Sequence, residues 1–143
     1  MCSEYGGQLP ASFEELQKLP GVGEYTAGAI ASIAFGLPAP AVDGNVLRVF
    51  ARLYNDGSNI AEPAAKRLFT RRVMDQQPAD APGPFNEALM ELGALVCLPG
   101  GAPLCGECPL ADRCLARAAG TQLELPVKTP PKARRVQPVT VLV

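Results

Sequence analysis

The chain has 143 residues, 48% apolar and 19% charged, enough to pack one domain and too apolar for a wholly disordered chain. Thirteen Lys and Arg against fourteen Asp and Glu leave a net charge of −1, which excludes a uniformly basic nucleic-acid coat but not a local basic patch. There is no His, which removes Ser-His-Asp and Cys-His catalysis and any His ligand or base, and with no Trp and 6% aromatics a broad base-stacking platform is not expected.

With 14 glycines and 15 prolines, the helices must be short and punctuated. The N-terminus, MCSEYGGQLP, has neither the basic start nor the apolar core of a signal peptide. Ser12-Phe13-Glu14-Glu15 has the form of a capping box, so a helix is expected from Ser12 to about Lys18. Leu19-Pro20-Gly21-Val22-Gly23 interrupts it. A second helix is expected from Glu24 to about Phe35, with Ile30 and Ile33 on one face, ended by Gly36-Leu37-Pro38. The uncharged stretch from Tyr25 to Val42 reads as a buried helix plus a turn, not a membrane span, because Gly28, Gly36, Pro38 and Pro40 interrupt it.

Asp43 is the expected N-cap of a third helix, whose Val46, Val49, Phe50 and Leu53 follow helical spacing. A turn over residues 55–59 leads to a fourth helix at about Glu62 to Gln76, with Leu68 and Phe69 inward and its cations largely outward. Pro78 to Pro84 reads as a loop. A fifth helix is expected from about Phe85 to Val96, with Phe85, Ala88, Leu89 and Leu92 on its apolar face, and a short one near Leu110 to Ala118. Residues 125–138 read as an extended Pro- and Lys/Arg-rich linker, and Pro138 to Val143 as the start of a β-strand. The expected class is all-α up to that point. From Arg113 onward six cations face Glu124 alone, the pattern of a solvated linker or a phosphate-facing edge.

Two helices joined by Leu-Pro-Gly-Val-Gly can do more than turn the chain. Glycines admit close approach, backbone N–H groups point outward, and the next helix brings its free amides and positive dipole end to the same place. Leu19, Gly21, Val22 and Gly23 are therefore candidates for holding one DNA phosphate, without regard to base sequence.

The strings LPGVGEYTAGAI and VDGNVLRVFARL resemble the helix-hairpin-helix superfamily of base-excision DNA glycosylases, and within it the adenine DNA glycosylases of the MutY type. The resemblance runs from about Tyr5 to Val127. It implies an all-α core of two domains around a cleft, removal of adenine mispaired with 8-oxoguanine or guanine, and double-stranded DNA as partner. Mapped onto this chain, residues 1–43 would belong to the six-helix-barrel domain, 44–119 to a helical iron–sulfur domain, and 120–143 to a linker and the first strand of a further domain. A monomer, cytoplasmic and nucleoid-associated rather than secreted or membrane-bound, is expected.

Breaking an N-glycosidic bond builds positive charge on the deoxyribose, and a fixed carboxylate facing C1′ stabilises it. By motif match Asp43 has that role and Asn45 organises it; as sequence alone, Asp43 can equally be only a helix cap. Tyr25 stands where the related endonuclease III-type lyases carry an amine nucleophile. Tyr cannot form a Schiff base, and Lys18 lies on another helix, so hydrolysis without lyase activity is expected. The family's catalytic Glu falls in helices before Met1. Glu4, Glu14, Glu15 and Glu24 do not match it, so the chain is expected to turn over weakly or not at all.

Cys97, Cys105, Cys108 and Cys114 are spaced C-x7-C-x2-C-x5-C. Four thiolates in one loop suit zinc or a [4Fe–4S] cluster. The family carries a cluster on a spacing one residue shorter, and Pro99, Gly100 and Gly101 could absorb the extra residue. Cys2 falls outside the pattern. The competing readings are an endonuclease III-like glycosylase/lyase, a non-catalytic DNA-binding module and a zinc-stabilised interaction domain.

Overall fold

A computed structural model describes residues 5–130. The described residues are helical, with no strand among them. Helix α1 spans Phe13–Gln17, capped by Ser12, whose hydroxyl accepts from the Glu15 N–H at 3.4 Å. The capping box is half made: the Glu15 carboxylate accepts from the Tyr5 hydroxyl and from Lys18. Pro20 and Gly21 then form a β-turn, with Gly21 at φ +82° and the Val22 N–H donating to the Leu19 carbonyl at 3.1 Å. Helix α2 spans Glu24–Ala29 and widens into a π-helical turn, Ile30–Ala34.

Helix α3 spans Gly44–Leu53, α4 spans Pro63–Met74, and α5 spans Pro82–Glu91. A second π-turn, Leu92–Val96, delivers the chain to Cys97. A 3₁₀ turn at Ala111–Arg113 and helix α6, Leu115–Ala119, follow. Helix α5 begins three residues earlier than the sequence suggests, because prolines in a first helical turn give up no needed N–H. Ile33 and Leu68 are exposed, as is Ala88, so the inward faces are narrower than periodicity indicates. The Tyr25–Val42 stretch is helix and turn, and no described helix is long and apolar enough to cross a membrane. The linker beyond Pro130, the strand at 138–143 and Cys2 lie outside the described residues.

Two apolar clusters form the interior. Leu16, Leu19, Ala27, Ala31 and Ala39 pack the hairpin unit. Val46, Val49, Phe50, Phe69, Val73 and Leu92 pack α3, α4 and α5, with Cys97 and Cys108 against the edge. Two features lock the units together. A Cβ on Gly28 would lie 1.9 Å from the Pro40 carbonyl oxygen, so only glycine lets α2 meet that strand of chain. Asn86, fully buried on α5, donates from Nδ2 to Ser32 Oγ and to the Ala39 carbonyl, both at 2.8 Å. Residues 125–129, expected to be extended linker, instead run back along α3, where Arg52 Nε donates to the buried Leu125 carbonyl at 2.9 Å.

Candidate functional site

Asp43 caps α3 with extended backbone, and both of its oxygens are engaged. Oδ1 accepts from the Val46 N–H and Oδ2 from Asn45 Nδ2, each at 2.9 Å. The structure therefore makes Asp43 a helix cap and at the same time an oriented carboxylate on an open groove of about 700 Å³. Asn45 is held in turn: its Oδ1 accepts from Arg48 Nη2 at 2.9 Å. Arg48, 6% exposed, also donates to the Gly93 carbonyl and, through Nε, to the Cys97 carbonyl, both at 2.8 Å. Burial lowers its pKa, and the neighbouring Cys97 opposes that shift. One chain of hydrogen bonds thus joins the carboxylate to the backbone of the first cysteine. Gly93 makes this possible, since a Cβ there would lie 2.7 Å from the Asn45 Cβ.

The hairpin presents Gly21 and Gly23 at the surface. The Leu19 and Val22 N–H groups are engaged internally, by the carbonyls of Leu16 and Leu19. Any phosphate here meets the glycine amides and the first amides of α2, while Leu19, 7% exposed, shapes the turn from below. Tyr25 is 40% exposed, and its hydroxyl donates to the Met90 sulfur at 3.6 Å. It lines a cleft of about 740 Å³ with Glu24, Lys66, Arg67 and Arg71. Asp43 and Asn45 are brought together; Tyr25 opens onto this neighbouring cleft, one residue across from Asp43 at Val42. Lys18 pairs with Glu15 on α1.

The four cysteines, all half-buried and free of disulfides, line one pocket whose other walls include Val96, Leu104 and Leu110. The loop closes through the Leu104 N–H to the Val96 carbonyl at 2.9 Å, and Gly100, in the bend between them, stands at φ +62°. Burial raises the Cys108 thiol pKa, reinforced by the charges of Cys97, Cys114 and Cys105. Among the described residues no group of three His, Cys, Asp or Glu side chains is placed to hold a metal ion. Arg52, 4% exposed, donates from Nη1 to the Cys97 sulfur at 3.2 Å and to the Leu98 carbonyl at 2.9 Å. Sequence periodicity gave no sign of either arginine's role, since both sit on a face that apolar spacing alone defines.

Residues 4–33 match the helix-hairpin-helix motif. The chain is 46% identical over 126 residues to the human adenine DNA glycosylase, covering 87% of this chain and 23% of that protein. Among solved structures, a thermostable thymine-DNA glycosylase aligns at a TM-score of 0.68 and 32% identity, over 82% of this chain and 53% of the other. An endonuclease III in a non-covalent DNA complex aligns at 0.65 and 32%, over 84% and 54%. The chain thus spans about a quarter of the human relative and about half of each structural neighbour. The two solved structures share the fold, and the higher identity to the adenine enzyme extends through most of this chain, which aligns it with the adenine DNA glycosylases of the helix-hairpin-helix superfamily.

Proposed function

We propose that the chain serves base-excision repair by hydrolysing the N-glycosidic bond of adenine mispaired with 8-oxoguanine or guanine in double-stranded DNA. The observation that carries this reading is the doubly held carboxylate of Asp43. As the bond to adenine lengthens, positive charge grows on the sugar, and a carboxylate already oriented by Val46 and Asn45 stabilises it without reorganising. Arg48 positions Asn45, so the carboxylate's second oxygen stays fixed. Tyr25 offers no amine, so water and not the protein takes C1′, which separates this reading from the glycosylase/lyase alternative. Protonation of the departing base needs an acid, a role the resemblance maps onto none of Glu4, Glu14, Glu15 and Glu24.

The glycine amides of the hairpin hold one phosphate, and α2 runs unbroken for eleven residues behind them through its π-turn. Residues 1–43 belong to the six-helix-barrel domain and 44–119 to the iron–sulfur domain. The division of the apolar interior between Ala39 and Val42 supports the first boundary. Cys97, Cys105, Cys108 and Cys114 would hold a [4Fe–4S] cluster, which supplies folding energy and fixed charge when bound. Four cysteines lining one pocket, with only one C-x2-C pair among them, favour the cluster over a zinc ribbon, which usually pairs two such knuckles. The protein acts as a monomer in the cytoplasm, associated with the nucleoid.

Single-turnover assays on an adenine:8-oxoguanine duplex, using the chain joined to the remaining glycosylase core of its relatives, test the activity. Adenine release without borohydride-trappable intermediate is expected, and a trapped adduct would shift the assignment to the lyases. Anaerobic purification should give a brown protein with about four irons per chain. Stoichiometric zinc without iron would end the cluster reading.

A further inference from the structure

The segment after α6 has no part in the reaction described above, yet it is fastened on both sides of one residue. The Ile60 N–H donates to the Val127 carbonyl at 3.0 Å, and the Thr129 N–H donates to Asn59 Oδ1 at 3.2 Å. Between these two ties stands Lys128, exposed and with no ion-pair partner among the described residues. Its side chain lines the same groove as Asp43. Two other cations line that groove, but Arg48 and Arg52 are buried and already engaged by carbonyls, Asn45 and the Cys97 sulfur. Lys128 is thus the groove's one described cation free to meet a ligand. Pro99–Ala102 also line the groove and carry two glycines: a Cβ on Gly100 would meet nothing within 4 Å, and one on Gly101 only the Pro99 carbonyl, at 3.9 Å. A groove lined by bare backbone, one free ammonium and one carboxylate suits a chain that alternates sugar and phosphate.

We propose that Lys128 is a phosphate-positioning residue. Its ammonium takes the DNA phosphodiester adjoining the nucleotide whose sugar faces Asp43, and so fixes where along the groove that sugar sits. Neutral deoxyribose lies against the carboxylate and the anionic phosphate against the lysine, which a simple anion or an acidic peptide would not satisfy equally well. The inference rests on the DNA glycosylase reading and adds a contact to it from outside the hairpin.

The test is equilibrium binding of the full chain, as parent, Lys128→Gln and Lys128→Arg, to an adenine:8-oxoguanine duplex, followed by fluorescence anisotropy over a range of salt. Losing one phosphate contact should lower the slope of log K against log salt by about 0.9 and weaken binding roughly tenfold at low salt. Lys128→Arg should restore both. The melting temperature should not move, since the backbone ties do not involve the side chain. If the parent binds and Lys128→Gln keeps its affinity and slope, the role of Lys128 is wrong while the DNA reading stands. If the parent shows no salt-dependent binding, both fall together. A Lys128→Arg variant as weak as Lys128→Gln would also overturn the proposal.

Discussion

Replacing Asp43 by Asn isolates what its charge does. The two carboxylate oxygens accept from the Val46 N–H and from Asn45 Nδ2, each at 2.9 Å. An amide can keep the first bond with its oxygen, which preserves the cap of α3. Its NH₂ then faces the NH₂ of Asn45, and turning Asn45 over would aim that group at Arg48 Nη2 instead. One hydrogen bond is lost either way, at about 1–2 kcal/mol of stability. That corresponds to a fall of roughly 3–6 °C in Tm for a domain of this size. The kinetic loss should be larger, because a preorganised charge that meets developing charge contributes about 3–4 kcal/mol to the transition state, or 10²–10³ in rate. With total stability of the order of 5–15 kcal/mol, the variant stays folded, so the two effects separate cleanly. Single-turnover adenine release, in the chain completed by its relatives' remaining core, should fall at least a hundredfold while anisotropy shows DNA binding within a few-fold of the parent. A rate within tenfold of the parent would remove Asp43 from the chemistry.

Arg48→Met strips three hydrogen bonds, one from the buried Gly93 carbonyl and two from half-buried acceptors at Asn45 and Cys97, and should cost about 3 kcal/mol in urea unfolding; a loss below about 1 kcal/mol would show the network to be dispensable. Gly28→Ala places a methyl 1.9 Å from a backbone oxygen that cannot swing away, so it should destabilise by about 3 kcal/mol, read as a lower denaturant midpoint. Gly23→Ala has no atom within 4 Å and extended backbone, so its Tm should match the parent's while DNA binding weakens equally on matched and mismatched duplexes. A loss confined to lesion-containing DNA would refute the hairpin's role. Asp56 is held below the usual carboxyl range, first by Ser58 and also by Arg72. Its folded pKa is depressed, so its stabilisation is present above the unfolded value near 3.9 and fades as pH falls through the lower folded one. The stability gap between parent and Asp56→Asn should therefore narrow from about pH 6 to about pH 3 in urea titrations, and a constant gap would contradict the assignment.

Caps and turns were legible because they depend on a particular atom at a particular place. Ser12 and Asp43 supply the oxygen a helix start needs, and Gly21 the positive φ a turn needs. The cysteine spacing was legible for the same reason. What escaped were interactions between segments far apart in sequence. Arg48 and Arg52 reach the cysteine loop 45 or more residues on, and Asn86 reaches back 54 residues to Ser32. Apolar periodicity cannot register such polar side chains, and it places Leu68 inward and Ile33 on a face with Ile30, whereas Leu68 and Ile33 are both exposed. The Pro- and Lys/Arg-rich composition reads residues 125–129 as linker, since nothing local in that stretch announces that Arg52 and Ile60 will pair with its carbonyls.

The two buried arginines lie four residues apart on one helix face, and no described carboxylate forms an ion pair with either. Their hydrogen bonds go to carbonyls, to Asn45 and to sulfur, none of which neutralises a guanidinium outright. Four thiolates around a doubly charged centre carry two net negative charges, equal and opposite to the pair. Without such a centre and with the thiols protonated, the same interior holds two like charges in a poorly solvating medium with no ion-pair partner among the described residues, a costly arrangement. A loaded cysteine loop would therefore supply helix α3 with a counter-ion, an electrostatic balance beyond the ligand bonds themselves.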